Sequence, residues 1–308
     1  MRMAASPNKG RKARNAIGIA LLCALCAPLM LLASCATTGR PAGKGIEPLA
    51  LLSPDALAYA ELKGPSLARF APLLAPQGKT NGLSSALARA RSASVALLPA
   101  GFEAVVEGNY PAFSTRLALS FSRDFKRRGN SYFDDKAGIE LSVPKTNLIL
   151  ASGGGGLAPL ASRALAPASA NASPIPSRYA ALSGRQMLLY APRPFERLAP
   201  AFVGEALEVP VSGLLLAAQP LAGEADRYEL TLVFLMDKEG DARVYKPIVK
   251  LAWLALARSL FPEAGGDLAS PRFEEEGGDL VAASLVLSGA EIESALRIAL
   301  ERVRAVSK

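Results

Sequence analysis

Gly64-Pro65-Ser66-Leu67-Ala68-Arg69-Phe70-Ala71-Pro72 lines up with Pro192-Arg193-Pro194-Phe195-Glu196-Arg197-Leu198-Ala199-Pro200, setting Arg69, Ala71 and Pro72 against Arg197, Ala199 and Pro200 at one offset of 128. Downstream, Phe133-Asp134-Asp135-Lys136-Ala137-Gly138 lines up with Phe273-Glu274-Glu275-Glu276-Gly277-Gly278 at an offset of 140. Short Ala/Pro/Arg similarities arise by chance in an alanine-rich chain. Two of them in the same order, separated by one loop insertion, point to an internal duplication.

Read as one unit used twice, the flanking sequence gives a repeated element pattern. In the first copy Ala56 to Leu62 alternates as a strand, and Pro65 opens a short helix toward Leu74. A second helical piece is expected over Leu83 to Arg91, then strands at Ser94–Leu98 and Phe102–Glu107 and a helix from Ala112 to Ser122. Strands near Ser131, at Gly138–Val143 and at Asn147–Ala151 complete it. The second copy runs as a strand at Gln186–Tyr190, a helix after Pro194, strands at Gly213–Ala218 and Tyr228–Met236, and a helix over Ala242–Leu260. Strands near Phe273 and at Leu280–Leu287 and a final helix from Ala290 to Val303 follow. A β-α-β-β-α-β order predicts an α+β protein of two duplicated ferredoxin-like sandwich units, with helices on one face of an antiparallel sheet.

Composition sets the boundaries. Residues 1–34 read as a signal peptide and 35–48 as a small, polar, Gly/Pro-containing tether. The first unit then spans 49–152 and the second 185–308. Between them, 153–184 opens with four consecutive glycines and continues rich in Ala, Pro and Ser, the composition of a linker.

The signal rests on its tripartite order. Arg2, Lys9, Arg11, Lys12 and Arg14 precede an apolar run from Ala16 to Ala33, which ends in Leu32-Ala33-Ser34-Cys35. This resembles the lipobox of bacterial lipoproteins, and the resemblance covers residues 1–35 only. It implies that Cys35 receives a diacylglycerol, that the signal is removed before it, and that the new amino terminus is acylated. Two or three acyl chains hold a protein on a membrane almost permanently. The membrane is therefore the first partner, reached through Cys35. The resemblance also implies that Ala36, where an Asp would mark inner-membrane retention, directs the protein to the outer membrane of the cell envelope.

Removal of the signal changes the charge. The chain carries 35 Lys+Arg and 27 Asp+Glu, a net +8, but five of the basic residues lie in the signal, leaving the body at +3. A body so mildly basic does not point to nucleic acid, which needs a clustered basic face. The one dense basic run, Arg123, Lys126, Arg127 and Arg128, reads as a solvated segment beside a turn at Gly129-Asn130, with contact to anionic headgroups as the alternative.

The chain contains no histidine, and of its three cysteines Cys23 and Cys26 fall in the apolar signal while Cys35 is the lipidation site. This excludes Ser-His-Asp and Cys-His nucleophiles, zinc sites built on His or Cys, and a disulfide within the body. Asp134-Asp135 and Glu274-Glu275-Glu276 could offer oxygen ligands to calcium. They lack the order of a calcium loop, so they read as solvated hairpins and no metal or other cofactor is expected. Gly153–Gly156 lacks the Lys-Ser/Thr of a phosphate loop. Over Arg243–Leu260, Arg243, Lys246, Lys250 and Arg258 fall on one arc of an otherwise apolar helix containing Trp253. Core packing with a solvated edge is the expectation, and a helix lying on a membrane with Trp253 at the interface is the alternative.

These readings converge on a lipid-anchored envelope lipoprotein acting as a non-catalytic binding or scaffold module for an envelope protein or an apolar ligand. Two alternatives stand beside it. One is a carrier holding a lipid-like molecule between sheet and helices, and the other is an envelope hydrolase using paired carboxylates.

Overall fold

The computed structural model describes residues 47–70, 89–122, 124–135, 138–154, 156–167, 171–197, 209–224, 226–261 and 271–306. The signal, Cys35 and nearly all of the tether lie outside these residues, as does the helical piece expected from Leu83 up to residue 88.

Twelve strands form one sheet. The first half contributes β1 (Ala58–Lys63), β2 (Ala90–Leu98), β3 (Gly101–Gly108), β4 (Lys126–Arg128), β5 (Ser131–Asp134), β6 (Ile139–Lys145) and β7 (Leu148–Gly153). The second half contributes β8 (Met187–Pro192), β9 (Val211–Pro220), β10 (Arg227–Met236), β11 (Glu274–Glu276) and β12 (Asp279–Ser288). The order across the sheet is β11-β12-β10-β9-β8-β1-β2-β3-β7-β6-β5-β4, and every neighbouring pair is antiparallel. The helices are α1 (Gly64–Phe70), α2 (Ala112–Phe121), α3 (Ala158–Leu165), α4 (Pro194–Arg197), α5 (Asp241–Leu260) and α6 (Gly289–Val306).

Mixed helices on a large antiparallel sheet match the expected class, and strand positions follow the alternation closely. The topology within each half does not follow the ferredoxin-like expectation. That arrangement inserts the third strand between the first two, whereas here β1 pairs directly with β2 and β8 directly with β9, so each half opens as a meander. The joint between the halves is itself a strand pair: Tyr59, Ala60, Glu61 and Leu62 of β1 face Tyr190, Leu189, Leu188 and Met187 of β8. Periodicity reports which residues are extended, but strand partners are chosen by long-range packing, which a single sequence does not display.

The segment expected as a linker is also built in. Residues 158–165 form α3 and 177–184 a 3-10 helix, Ser177–Gly184. With a 3-10 turn at Pro48–Leu51 they cover one face of the sheet. Leu49, Leu51, Leu157, Leu160 and Ile175 pack there against Val105 and Leu150 from the first half and Leu188, Leu215 and Val233 from the second. The other face, here the helical face, carries two cores. Leu119 of α2 packs in one core with Phe102, Val106 and Tyr132 of the sheet, and Val249 and Trp253 of α5 pack in the other with Phe234 and Phe273. β10 is buried on both faces and reads as a near-continuous apolar run, Leu230 to Met236 interrupted only by Thr231.

Glycine is required where β3 meets β7. A Cβ on Gly101 would fall 1.6 Å from the Gly153 carbonyl oxygen, so the two backbones touch only because neither has a side chain.

Buried ion pairs fasten the cover to the sheet. Arg163 of α3 donates from Nη2 to both Glu103 oxygens at 2.6 Å and from Nε to the Leu51 carbonyl, while Ser53 N–H donates to Glu103 Oε2. Arg163→Ala leaves Glu103 buried without its counter-ion and is expected to cost about 3–5 kcal/mol. Arg163→Met with Glu103→Leu should recover most of that loss. Urea unfolding of the wild type, the single variant and the double variant measures both effects.

Candidate functional site

The exposed large apolar residues concentrate on two helices of the helical face. On α2, Phe113, Leu117 and Phe121 recur at i, i+4 and i+8 and are between 45% and 79% exposed. On α5, Val244, Ile248 and Leu251 recur at i, i+4 and i+7 and are between 46% and 69% exposed. These spacings place each set on one side of its helix, opposite the buried stripe. That buried stripe is Thr115, Ala118 and Leu119 on α2, and Ala242, Val249, Trp253 and Ala257 on α5. Both helices are therefore apolar on two sides. A solvated helix in a folded body ordinarily carries polar residues outward.

The expectation for α5 holds for its inner side: Trp253 is buried against Phe234, ring centroids 6.4 Å apart in edge contact. It is placed in the core and not at a membrane interface. The outer side departs from a merely charged edge, because Arg243 and Lys250 are exposed alongside Val244, Ile248 and Leu251. Sequence periodicity hides this outer stripe, since a helix apolar on both sides has a weak contrast between faces.

Between the two helical layers lies the centre of the sheet. Ala60 of β1, the sixth strand counted from the β11 edge, is exposed, with Val95 and Leu189 half-buried on either side of it. Ala60 and its two neighbours thus leave an apolar strip of sheet between the cores.

The polar candidates resolve differently. Of the two acidic segments expected as solvated hairpins, Asp135 is exposed at the β5–β6 turn and Glu274–Glu276 form the exposed edge strand leading into β12. Asp134 departs from that expectation: as the last residue of β5 it faces the sheet interior and is buried. Among the described residues, no group of three His, Cys, Asp or Glu side chains could hold a metal ion. Of the basic run, Arg123 lies outside the described residues, while Lys126–Arg128 form strand β4, turning through Gly129-Asn130 into β5, and Asp135 takes ion pairs from Lys126 and Arg128. Of the glycine run, Gly153 ends β7, where its carbonyl lies against Gly101 of β3.

Three buried carboxylates, Glu61, Glu103 and Asp279, make defined contacts. Besides Glu103, Asp279 receives Arg178, the Tyr179 hydroxyl at 2.9 Å and the Met236 N–H at 2.9 Å, tying the 3-10 segment to the β11–β12 hairpin. Burial raises the Tyr179 phenol well above its ordinary range, and the Asp279 carboxylate adds to this. Glu61 accepts from Ser94 at 3.0 Å and lies 2.7 Å from Lys63 Nζ, an ion-pair contact. Sequence reading passes over all three, because their partners lie far along the chain.

Among the described residues, Glu107 is the carboxyl shifted upward. Burial is the main cause and the Glu61 charge adds to it, against the lowering effects of Ser92, Lys145 and Lys63. A carboxyl with a raised native pKa favours folding most below the unfolded value, about 4.3 for Glu, and loses that contribution as pH rises through the native value. Glu107→Gln should therefore gain melting temperature over the wild type at pH 7 and little or none at pH 4. Equal gaps at both pH values in thermal melts would contradict this.

No protein-family model and no curated protein matches the chain. The architecture itself, a large antiparallel sheet with several helices, is that of a known fold. Solved structures of TP0453 share it. Crystal form III superposes with a TM-score of 0.58 at 14% identity, covering 83% of this chain and 99% of that one. Crystal form I gives 0.57 at 15%, with 83% and 98% covered, and crystal form IV gives 0.58 at 15%, with 82% and 97% covered. At these identities the likeness shows the fold alone.

Proposed function

We propose that this protein is a bacterial envelope lipoprotein held by acyl chains on Cys35, a non-catalytic binding module of the outer membrane whose helical face meets the bilayer surface. The observation that carries this reading is the pair of outward apolar stripes, Phe113-Leu117-Phe121 and Val244-Ile248-Leu251, on the same side of one sheet. Apolar residues exposed in a row on a helix that also carries cations suit the headgroup boundary, where the apolar side sinks and Arg243, Lys246 and Lys250 reach phosphates. Among the described residues, no helix is long and apolar enough to cross a membrane, so contact of this kind lies along the surface.

The chain also reads as a duplicated unit, in support of which the two matched arginines behave reciprocally across the joint. Arg69 of the first half pairs with Asp226 and Glu293 of the second, and Arg197 of the second donates to the Ala56 carbonyl of the first at 3.3 Å. The second sequence match fits less well. It sets hairpin β5–β6 against β11–β12, while by position in the sheet β12 corresponds to β7, each lying beside the third strand of its half.

A second reading, a carrier of an apolar ligand, is favoured by the strip around Ala60, which would receive a flat or extended apolar molecule between the helical layers. Ala60→Trp would fill it. A carrier then loses copurifying lipid, measured by mass spectrometry of solvent extracts, and a surface-bound scaffold does not.

For the main reading, Cys35→Ser should shift the protein from the membrane pellet to the supernatant on fractionation. Full retention would overturn the lipid anchor. The unlipidated protein should still bind anionic vesicles weakly in flotation. Combining Phe113→Glu, Phe121→Glu, Val244→Glu and Leu251→Glu should reduce that residual binding at least tenfold, and unchanged binding would overturn the role of the stripes.

A further inference from the structure

The two edges of the sheet carry opposite charge. β4, at one edge, is Lys126-Arg127-Arg128, and β11, at the other, is Glu274-Glu275-Glu276, with all six residues exposed. An edge strand presents unpaired backbone N–H and C=O groups, and charges on it block pairing with a like edge. Here that protection is selective: each edge repels its own kind and attracts the opposite one.

We propose that copies of this protein associate head to tail, β4 of one adding to β11 of the next. Three features of the fold make this pairing specific. First, twelve strands alternating strictly in direction leave β4 antiparallel to β11, so a second copy placed to continue the sheet meets the first through an antiparallel pair. Second, the two strands are of equal length, and the register Lys126 to Glu276, Arg127 to Glu275 and Arg128 to Glu274 puts opposite charges directly across from each other at all three positions. Third, the faces agree. Arg127 stands opposite Tyr132, and Glu275 opposite Leu280, which faces Phe234; both therefore lie on the helical face. Lys126 and Arg128, like Glu274 and Glu276, lie on the cover face. Directly opposed side chains in an antiparallel pair are roughly 4.5–5.5 Å apart at Cβ, within reach of ion pairing on each side.

The charges already have local partners. Asp135 pairs with Lys126 and Arg128, Arg128 also stacks over Phe133 at 4.2 Å, Arg127 donates to the Gly129 carbonyl, and Arg272 lies 3.7 Å from Glu274. These groups are exposed, and such pairs contribute about 0–1 kcal/mol, so they exchange readily for partners across an edge. A contact built on two three-residue strands is small, and small contacts are transient. Because it is heterologous, it propagates as open rows and does not stop at a dimer. This association is independent of how the body meets the membrane.

The test is carbodiimide coupling of the full chain, purified in non-ionic detergent as a mixture of isotopically light and heavy protein. Within one molecule the two edges stand about 50 Å apart, at roughly 4.8 Å per strand, so an amide between Lys126 and any of Glu274–Glu276 joins two molecules. We expect mixed light–heavy peptides linking these strands, reduced at least fivefold by 0.5 M salt relative to 0.05 M, as for exposed charges in general. R127E/R128E keeps the Lys126 amine and should reduce the links at least fivefold. K126E/R127E/R128E and E274K/E275K/E276K each lack one of the two coupling groups and give no link alone. Mixing them should restore links, both between Lys126 of one and Glu274–Glu276 of the other and between the carboxylates introduced at positions 126–128 and the amines introduced at 274–276, which also shows that both variants are folded. Absence of links in the wild type or in the mixture, or undiminished links in R127E/R128E, overturns the proposal.

Discussion

The pairing of β1 with β8 is the constraint on which the remaining architecture depends. Four residue pairs, Tyr59–Tyr190 through Leu62–Met187, convert two meanders into one sheet. Tyr59 and Tyr190 stack across this joint at 6.0 Å between ring centroids, and burial raises both phenols above their ordinary range. Without the joint each half would expose a long edge at its first strand, and the shared core of the cover face would divide. That core draws Leu150 and Leu215 from opposite halves under one set of covering segments.

The cover explains why a stretch of linker composition is ordered. Four glycines and a run of Ala, Pro and Ser carry little side-chain surface, yet Leu157, Leu160, Ile175 and the Arg163 and Arg178 guanidiniums occur at the points where the segment meets the sheet. A few anchors separated by small residues suffice to hold a segment whose own propensity for structure is low. Arg163 and Arg178 fix it at opposite ends, one to Glu103 of the first half and the other to Asp279 of the second. The segment is thus a strap across the joint.

Local features are legible in the sequence, and long-range ones are not. Alternation locates β1, a near-continuous apolar run locates β10, the proline at position 65 opens α1, and the helical spacing of α5 and α6 is evident. The charge run at 126–128 reads as solvated, which is true of its side chains but conceals a strand, because a three-residue edge has too little alternation to register. Composition suggests a linker over 153–184 and gives no sign of α3 and the 3-10 segment within it: composition counts residues, while their packing depends on a few ion pairs with partners up to 101 residues away. Of the candidate surface, the inner side of α5 is anticipated, but the outer stripes on α2 and α5 are masked by helices apolar on both sides.

The central joint also has a temporal consequence. During synthesis from the amino terminus, β1 finds β2 at once but waits for β8, whose Leu189 follows Ala60 by 129 residues. Domains fold as their chain emerges, and contacts of such sequence separation form late. The first meander therefore exists for a time with β1 as a bare edge in the middle of the eventual sheet. Lys63, at the end of that edge, and Glu61 beside it are the charged residues on β1, and they act as gatekeepers during the interval before Glu61 is buried.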